Sequence, residues 1–353
     1  MTFEVLFSRA ARHVGALNVT LGRFGFRRRG LKGAVWFCLL LLMPAACGGT
    51  LDAGSNEPRG LLPVDERNPI ILCNDAAADN WQGEYAMLFA STGGPPLVGI
   101  VINATWPWTD LTANMTGWQQ MASAAVRSGL QNIPDPLASN SPGLVRPDDG
   151  NIDSTAPNHS EGARFIVETS LRLSTPTRPV VVVTGGSLTD VADAYLTDHT
   201  LPERVVVVSA LGTTKTDGAA MGLPNGQLDT WADAIVARKF RFVQVTGYSY
   251  DTSADVPSNR LSQLPANEFT SWIAAKQPNI ENAVDQVAVL VVAMPSIVTK
   301  VIQAQQNSED TEGIPLLTSA PSGPAQVVTG VDGAQATKRL WEILLDPATF
   351  TKQ

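Results

Sequence analysis

Two carboxylates and an amide follow the first strongly apolar stretch of the body of the chain. Residues 70–73 form a short apolar run typical of a buried strand, and Asp75, Asp79 and Asn80 come before a helical pattern begins at Trp81. In open parallel α/β sheets, ligands bind beyond the carboxyl ends of the strands. Carboxylate and amide oxygens suit a hard cation or sugar hydroxyls. The alternative is that Asp79 or Asn80 only caps the following helix.

Short apolar runs alternate with helical patterns through the rest of the chain. The further strand-like runs are residues 97–103, 179–184, 204–209 and 240–245. This alternation predicts an open, mostly parallel α/β sheet with helices on both faces, in a single domain over residues 68–353. Residues 132–160 are rich in Pro, Asn, Asp and Ser and predict long loops, whereas residues 282–305 predict one long apolar helix.

Charge divides the chain unevenly. Residues 1–46 contain seven Lys or Arg and one Glu, which gives +6, so the remainder carries −8 − 6 = −14. An acidic body argues against nucleic-acid binding, which requires a basic face.

The basic N-terminal segment leads into a short apolar run that ends in small residues, which is the pattern of an export signal. The run is too short to span a bilayer. Ala45-Ala46-Cys47 followed by two glycines resembles a bacterial lipobox, with Pro44 at a position where an aliphatic residue is usual. We therefore expect a signal over 1–47, lipidation of Cys47, a flexible tether over 48–67, and a membrane-anchored protein facing the periplasm or cell exterior. The alternative is an ordinary secretory signal with a chance cysteine.

A glycine turn follows the run at 179–184. Gly185-Gly186-Ser187 precedes Leu188-Thr189-Asp190, which opens a helical pattern but lacks the Lys of a P-loop and the third Gly of a dinucleotide fingerprint. Residues 186–192 resemble the midpoint motif of the nucleoside hydrolase family (inosine/uridine-preferring type), Gly-Pro-Leu-Thr-Asn before an Ala-rich helix. The family's opening motif, Asp-Thr-Asp-Pro-Gly-x-Asp-Asp after a strand, aligns without a gap on residues 73–80.

Two later segments extend the resemblance over roughly residues 68–300. Gln227-Leu228-Asp229 is similar to the Glu-Phe-Asn segment of the family, and residues 284–288 are similar to its C-terminal His-Asp-Pro-x-Ala motif. The resemblance implies calcium-dependent hydrolysis of a ribonucleoside to base and ribose. It implies a calcium ion held by Asp75, Asn80, Asp285 and the main-chain oxygen of Thr189. It also implies that Asp75 is the catalytic base and that Asp79, Gln227 and Asp229 bind the substrate.

Two departures from the family pattern keep a second function open. Asn80 replaces an acid, and an amide offers only one neutral oxygen to a cation. Val284 replaces the His that protonates the leaving base in some members. The alternative is therefore a catalytically impaired ribosyl- or sugar-binding lipoprotein of the cell envelope; an interaction domain without a small ligand is a third possibility. Trp106 and Trp108, after the second strand, are candidates for stacking on a nucleobase, although most tryptophans belong to the core.

Overall fold

The computed structural model describes residues 61–75, 81–105, 108–212, 225–246, 258–276, 285–309, 313 and 315–351. All of them belong to one compact unit, residues 56–353. The predicted signal segment, including Cys47, lies outside the described residues. Among the residues that are described, no helix is both long enough and apolar enough to cross a bilayer.

Nine strands form one sheet in the order β3-β2-β1-β4-β5-β6-β9-β7-β8. Neighbours from β3 to β9 in this order run parallel, and β7 is antiparallel to both β8 and β9. The strands are β1 Ile70–Asn74, β2 Leu97–Ile102, β3 Pro136–Ala138, β4 Val180–Gly185, β5 Val205–Gly212, β6 Arg241–Thr246, β7 Val298–Glu309, β8 Pro315–Ser319 and β9 Ala325–Val331.

Helices cover both faces of this sheet. They are α1 Gln82–Ser91, α2 Leu111–Arg127, α3 Glu161–Leu173, α4 Thr189–Thr197, α5 Thr230–Lys239, α6 Glu268–Lys276, α7 Gln286–Ala293 and α8 Gly333–Leu345. One apolar core contains side chains of α1, α2, α7 and α8, and the other contains side chains of α3, α4 and α5. The central strands β4 and β5 are runs of valine buried on both faces, as is usual for parallel sheets. The predicted fold class is confirmed.

The strand order of the sheet reverses at β1, because the chain adds strands first on one side of β1 and then on the other. The strand β2 lies on one side of β1, and β4 lies on the other, with Asn74 opposite Gly185 in the register. In open α/β sheets such a switch point leaves a crevice outside the carboxyl ends of the strands. The residues that follow β1 and β4 therefore lie together at the edge where a ligand is expected.

The prediction of one long helix over residues 282–305 is wrong for the part that is described. Helix α7 ends at Ala293, and after a short 3-10 turn over Pro295–Ile297 the chain continues as β7. Pro295 lacks the N–H that a helix interior needs, and the residues after it are rich in β-branched side chains, which favour strands. The short strand β3 also lies within the region predicted to be loops.

The end of the predicted tether contacts the domain. Val64 is buried in the core, and the main-chain N–H of Leu62 donates to the side-chain oxygen of Gln326 on β9 at 2.8 Å. Leu62 and Val64 therefore contact the domain, so a flexible tether would end before Leu62 rather than at residue 67.

Candidate functional site

Asp75 lies directly after β1 at the switch point and is buried. The hydroxyl of Thr105 donates to Oδ2 of its carboxylate. The side-chain amide of Asn114, on α2, donates to the main-chain oxygen of Asp75 at 2.7 Å. Both the carboxylate and the backbone of the predicted base are thus held by residues from the segment after β2.

The glycine turn after β4 brings a second predicted ligand close to Asp75. A Cβ atom on Gly186 would lie 2.7 Å from Cγ of Asp75, and a Cβ atom on Gly185 would lie 2.8 Å from Cβ of Asp285. Only glycine permits this approach, because real Cβ atoms do not come so near to other heavy atoms. Asp75 and Asp285 therefore each contact one of two adjacent glycines, although they are 210 residues apart in the chain.

Side-chain amides connect Asp285 to the strand ends. Asn225 donates to Oδ1 of Asp285 at 2.9 Å and to the main-chain oxygen of Ala210 on β5. Gln82, at the start of α1, donates to the main-chain oxygen of Asp285 at 3.2 Å. Gln82 in turn accepts a hydrogen bond from Asn74, the last residue of β1, at 2.7 Å. This network of neutral amides positions Asp285 at the same edge as Asp75.

Thr189 and Asp229, both predicted for the site, contact each other. The hydroxyl of Thr189 donates to Oδ2 of Asp229 at 2.8 Å, and Asp229 also accepts from the main-chain N–H groups of Leu144 and Ala232. Asp229 is buried at the N-cap of α5, and burial raises its pKa. These contacts give Asp229 a structural role as the N-cap of α5. Its role in sugar binding stays a prediction.

Gln227 is exposed on a short 3-10 turn, Asn225–Gln227, which also contains Asn225, the residue that donates to Asp285. Asp79 and Asn80 lie outside the described residues. The capping alternative requires Asp79 or Asn80 at the N-cap of α1. Helix α1 begins at Gln82 and its N-cap is Trp81, so this alternative is wrong.

The sequence analysis missed a buried polar group beside the glycine turn. Asn103, directly after β2, donates to Asp190 Oδ2 at 3.1 Å, and its amide nitrogen lies 3.4 Å from the Ser187 hydroxyl. Its own amide oxygen is buried and has no hydrogen-bond partner within the described part of the chain. Asp190 also accepts from the hydroxyls of Ser139 and Ser160, and burial raises its pKa. The signal for Asn103 was available, because it ends an apolar run just as Asp75 does.

The chemistry of this edge is that of oxygen ligands. Asp75 and Asp285 supply carboxylate oxygens, and Asn103 supplies an amide oxygen that has no partner among the described residues. Calcium prefers oxygen ligands of both kinds. The described residues contain no group of three or more His, Cys, Asp or Glu that could hold a metal ion. A complete calcium site would therefore need Asn80 and main-chain oxygen in addition to the two carboxylates, and the donor types present fit that ion.

A groove elsewhere on the molecule has a volume of about 810 Å³, but it contains none of these residues. It lies between α2 and α6 and is lined by residues that include Gln119, Arg127 and Trp272. Cavity volume and the placement of the acids thus point to different regions. The acids mark the candidate site, because residues that are far apart in the chain converge there.

Comparison with solved structures identifies the fold. The inosine-uridine preferring nucleoside hydrolase from Bacillus anthracis matches with a TM-score of 0.56 and 15% identity, over 78% of this chain and 99% of that one. The purine-preferring ribonucleoside hydrolase from Gardnerella vaginalis matches with a TM-score of 0.52 and 15% identity, over 79% and 98%. The type III effector protein XopQ, complexed with adenosine diphosphate ribose, matches with a TM-score of 0.54 and 12% identity, over 82% and 96%. No protein-family model and no curated protein matches the chain. The fold is that of nucleoside hydrolases.

Proposed function

We propose that this chain, which has the nucleoside hydrolase fold, hydrolyses the N-glycosidic bond of a ribonucleoside and releases the base and ribose. One observation supports the proposal most strongly. Asp75 and Asp285 contact adjacent glycines of one turn, at the switch point of the sheet where ligands of α/β proteins bind. Acids at such an edge, with amide oxygens beside them, suit the hydroxyls of a sugar and the activation of water.

In the proposed reaction Asp75 is the general base. Water attacks the anomeric carbon as the bond to the base breaks, through a state with oxocarbenium character. The proton of the water goes to Asp75, and the electron pair of the broken bond leaves with the base, which must then be protonated. The hydroxyl of Thr105 fixes the orientation of the Asp75 carboxylate during this step. Position 284 is Val, so the proton for the base must come from another group or from solvent.

We further propose that the activity depends on calcium. Asp75 and Asp285 would hold the ion together with Asn80 and the main-chain oxygen of Thr189. When bound, a metal ion lowers the pKa of a coordinated water. Asn80 contributes a neutral oxygen where the family has an acid, so we expect weaker binding than in a site with one more carboxylate.

A second candidate function is the binding of a ribosyl ligand without hydrolysis. It is favoured by Val284, which cannot act as an acid. The match to an effector complexed with adenosine diphosphate ribose shows that a protein of similar fold binds a larger ribosyl ligand.

Release of nitrophenol from a nitrophenyl riboside, compared with release of base from inosine and uridine, separates these functions. If the chain is a hydrolase, it should cleave the nitrophenyl riboside far faster than either nucleoside, because nitrophenolate leaves without protonation. General acid catalysis is typically worth about a hundred- to ten-thousandfold, which sets the size of the expected gap. Introducing an acid with Val284→His should narrow it. Background rates for all substrates, together with measurable binding of ribose or adenosine diphosphate ribose, would decide for the binding function.

We also propose, from the sequence alone, that Cys47 carries a lipid anchor and that the domain lies outside the cytoplasm. In a bacterial host, wild type should fractionate with membranes, whereas Cys47→Ala should be released or accumulate as an uncleaved precursor. A mature protein that is soluble with Cys47 intact would contradict the anchor.

A further inference from the structure

One side chain on α2 binds three main-chain oxygens near the candidate site. The amide nitrogen of Asn114 lies 2.7 Å from the oxygen of Asp75, 3.1 Å from that of Asn103 and 3.1 Å from that of Trp108. The amide has two hydrogens, so at least one of them is shared between acceptors. Asn114 is itself buried, and burial leaves its donors no competition from solvent.

These oxygens lie where the hydrogen bonding between β1 and β2 ends. The last main-chain bond between these strands is from the N–H of Asn103 to the oxygen of Asn74, at 3.1 Å. The next oxygen on each segment, that of Asp75 and that of Asn103, is bound by Asn114 instead. Buried main-chain oxygens require a donor, and here the donor comes from a helix that packs behind the strand ends.

The segment bound by Asn114 is the one that serves Asp75. Thr105, which donates to the Asp75 carboxylate, lies between Asn103 and Trp108, and Asn114 binds both of the latter. Trp108 is 39% exposed and is a candidate for contact with a nucleobase. The Asn114 amide therefore binds the main chain of Asp75 and also that of Asn103 and Trp108, which lie on either side of Thr105 in the sequence.

We propose that Asn114 is a positioning residue for the reaction at Asp75, and that it sets the distance between this carboxylate and the segment carrying Thr105 and Trp108. The inference rests on the proposed hydrolase function. It does not place Asn114 in contact with the substrate. A displacement of reacting groups by about 1 Å can lower a rate on the order of a hundredfold.

The alternative is that Asn114 only stabilises the fold, and a matched residue controls for it. Asn68 is also a buried asparagine whose amide donates to a main-chain oxygen, that of Pro179, at 2.8 Å. It precedes β1, and Pro179 precedes β4, so this bond lies at the opposite edge of the sheet. Substitutions of Asn68 should cost stability without moving Asp75.

The test compares Asn114→Asp and Asn114→Ala with Asn68→Asp and Asn68→Ala in the full chain. Aspartate has nearly the same shape as asparagine but, when ionised, has no hydrogen to donate. We expect both Asn114 variants to lose on the order of a hundredfold in kcat for the nitrophenyl riboside, with a smaller change in KM. In Asn114→Asp, the loss relative to wild type at the same pH should become smaller at low pH, where the protonated carboxyl can donate one hydrogen bond. Both Asn68 variants should retain wild-type kcat.

Hydrogen exchange measured on the same variants supplies a readout that does not need activity. Exchange should become faster at the amides of Asn103 and Trp108 in the Asn114 variants, and stay unchanged in β9. Unchanged exchange at Asn103 and Trp108 would overturn the inference, and so would faster exchange with wild-type kcat. An equal loss of kcat in the Asn68 variants would reduce Asn114 to a structural role. If wild type shows no hydrolysis, the proposed function fails, and exchange still decides whether Asn114 holds the segment.

Discussion

Two aspartates occupy the same position at the start of a helix but make different contacts. Asp229 is at the N-cap of α5, and its carboxylate accepts from the main-chain N–H of Ala232 in the first turn, at 3.0 Å. Asp285 is at the N-cap of α7, but its side chain makes no capping hydrogen bond and instead accepts from Asn225. An aspartate at this position normally stabilises its helix by about 1 kcal/mol. The side chain of Asp285 does not stabilise α7 in this way.

The same contrast extends to two further buried acids, Asp190 and Asp193. We call Asp75 and Asp285 the site pair, and Asp190, Asp193 and Asp229 the anchoring set. Hydrogen bonds of the anchoring set attach residues 139–160 to α4 and α5. The site pair instead contacts the glycine turn. Side chains donate to acids of both groups, so neither burial nor the type of donor separates the acids of the candidate site from the others. The segments that an acid connects are more informative.

The largest expected effect is on activity, and it comes from the site pair. Asp75→Asn keeps the shape of the side chain and can still accept from Thr105, but it cannot take a proton from water. We expect turnover of the nitrophenyl riboside to fall by about a hundred- to ten-thousandfold, the usual contribution of general base catalysis, with little change in the free energy of unfolding. Glu203→Gln, an exposed acid changed in the same way, is the control. Wild-type turnover in Asp75→Asn would remove Asp75 from the reaction.

For the anchoring set, the expected effect is on stability. Asp193 accepts from the main-chain N–H groups of Asn158, His159 and Ser160. Asp193→Ala leaves three donors without this acceptor, and each unsatisfied buried donor costs about 1–3 kcal/mol. We expect urea denaturation to show a loss of about 2–5 kcal/mol in the free energy of unfolding, because some of these groups will find water. A loss below 1 kcal/mol would show that the loop is held by other contacts.

A pair of glycines offers a sharper comparison of the two regions. A Cβ atom on Gly186 would lie 2.7 Å from Cγ of Asp75, whereas one on Gly143 would lie 3.7 Å from Oδ2 of Asp229. The first contact requires a displacement and the second is ordinary van der Waals contact. We expect Gly186→Ala to lose about 1–3 kcal/mol of stability, the usual cost of overpacking, and most of its turnover. Gly143→Ala should stay close to wild type in both measurements. Similar behaviour of the two variants would contradict the close approach at the turn.

The pH dependence of stability should come in part from Asp233, in the first turn of α5. Asp233 is fully buried, its Oδ2 has no partner among the described residues, and its pKa is raised well above the ordinary range, first by burial and then by Asp229. A carboxyl with a raised pKa in the folded state binds more protons folded than unfolded, so stability falls as pH rises from about 4 through that pKa. Asp233→Asn should remove the part of this fall that comes from Asp233 and be more stable than wild type at neutral pH. Denaturation curves at pH 4 and 7 measure the difference, and an equal pH dependence in both proteins would assign it to other groups.

Much of the fold could be predicted from the sequence, because valine runs such as residues 180–183 have few alternatives to a buried strand. The strand β7 was not predicted, because the apolar pattern of residues 282–305 also suits one helix. Pro295 and the β-branched residues after it are the signals that mark the change. At the site, Asp75 was predictable from its place after a strand. The contacts of Asn114 were not, because a side chain that binds distant main-chain groups leaves no local pattern in the sequence. An aspartate just before a helix does predict the N-cap of Asp229, but not its bonds to Leu144 and Thr189.

The smallest effect, and the one that links the two regions most directly, is the response of stability to calcium. An ion that binds only the folded chain stabilises it by RT ln(1 + [L]/Kd), which is about 1.4 kcal/mol at ten times the Kd. A domain of this size gains a few degrees in Tm from such a change. Millimolar calcium should therefore raise the Tm of wild type, and Asp285→Asn should abolish the shift because it removes one of the two described carboxylates.

Asp190→Asn changes a buried acid of the anchoring set in the same way and should keep the shift, although its Tm without calcium differs. Magnesium should have less effect, because it prefers a rigid octahedral site and retains its water. An equal shift in both variants would place the ion away from Asp285, and no shift in wild type would leave the site pair without calcium and favour ribosyl binding over metal-dependent hydrolysis.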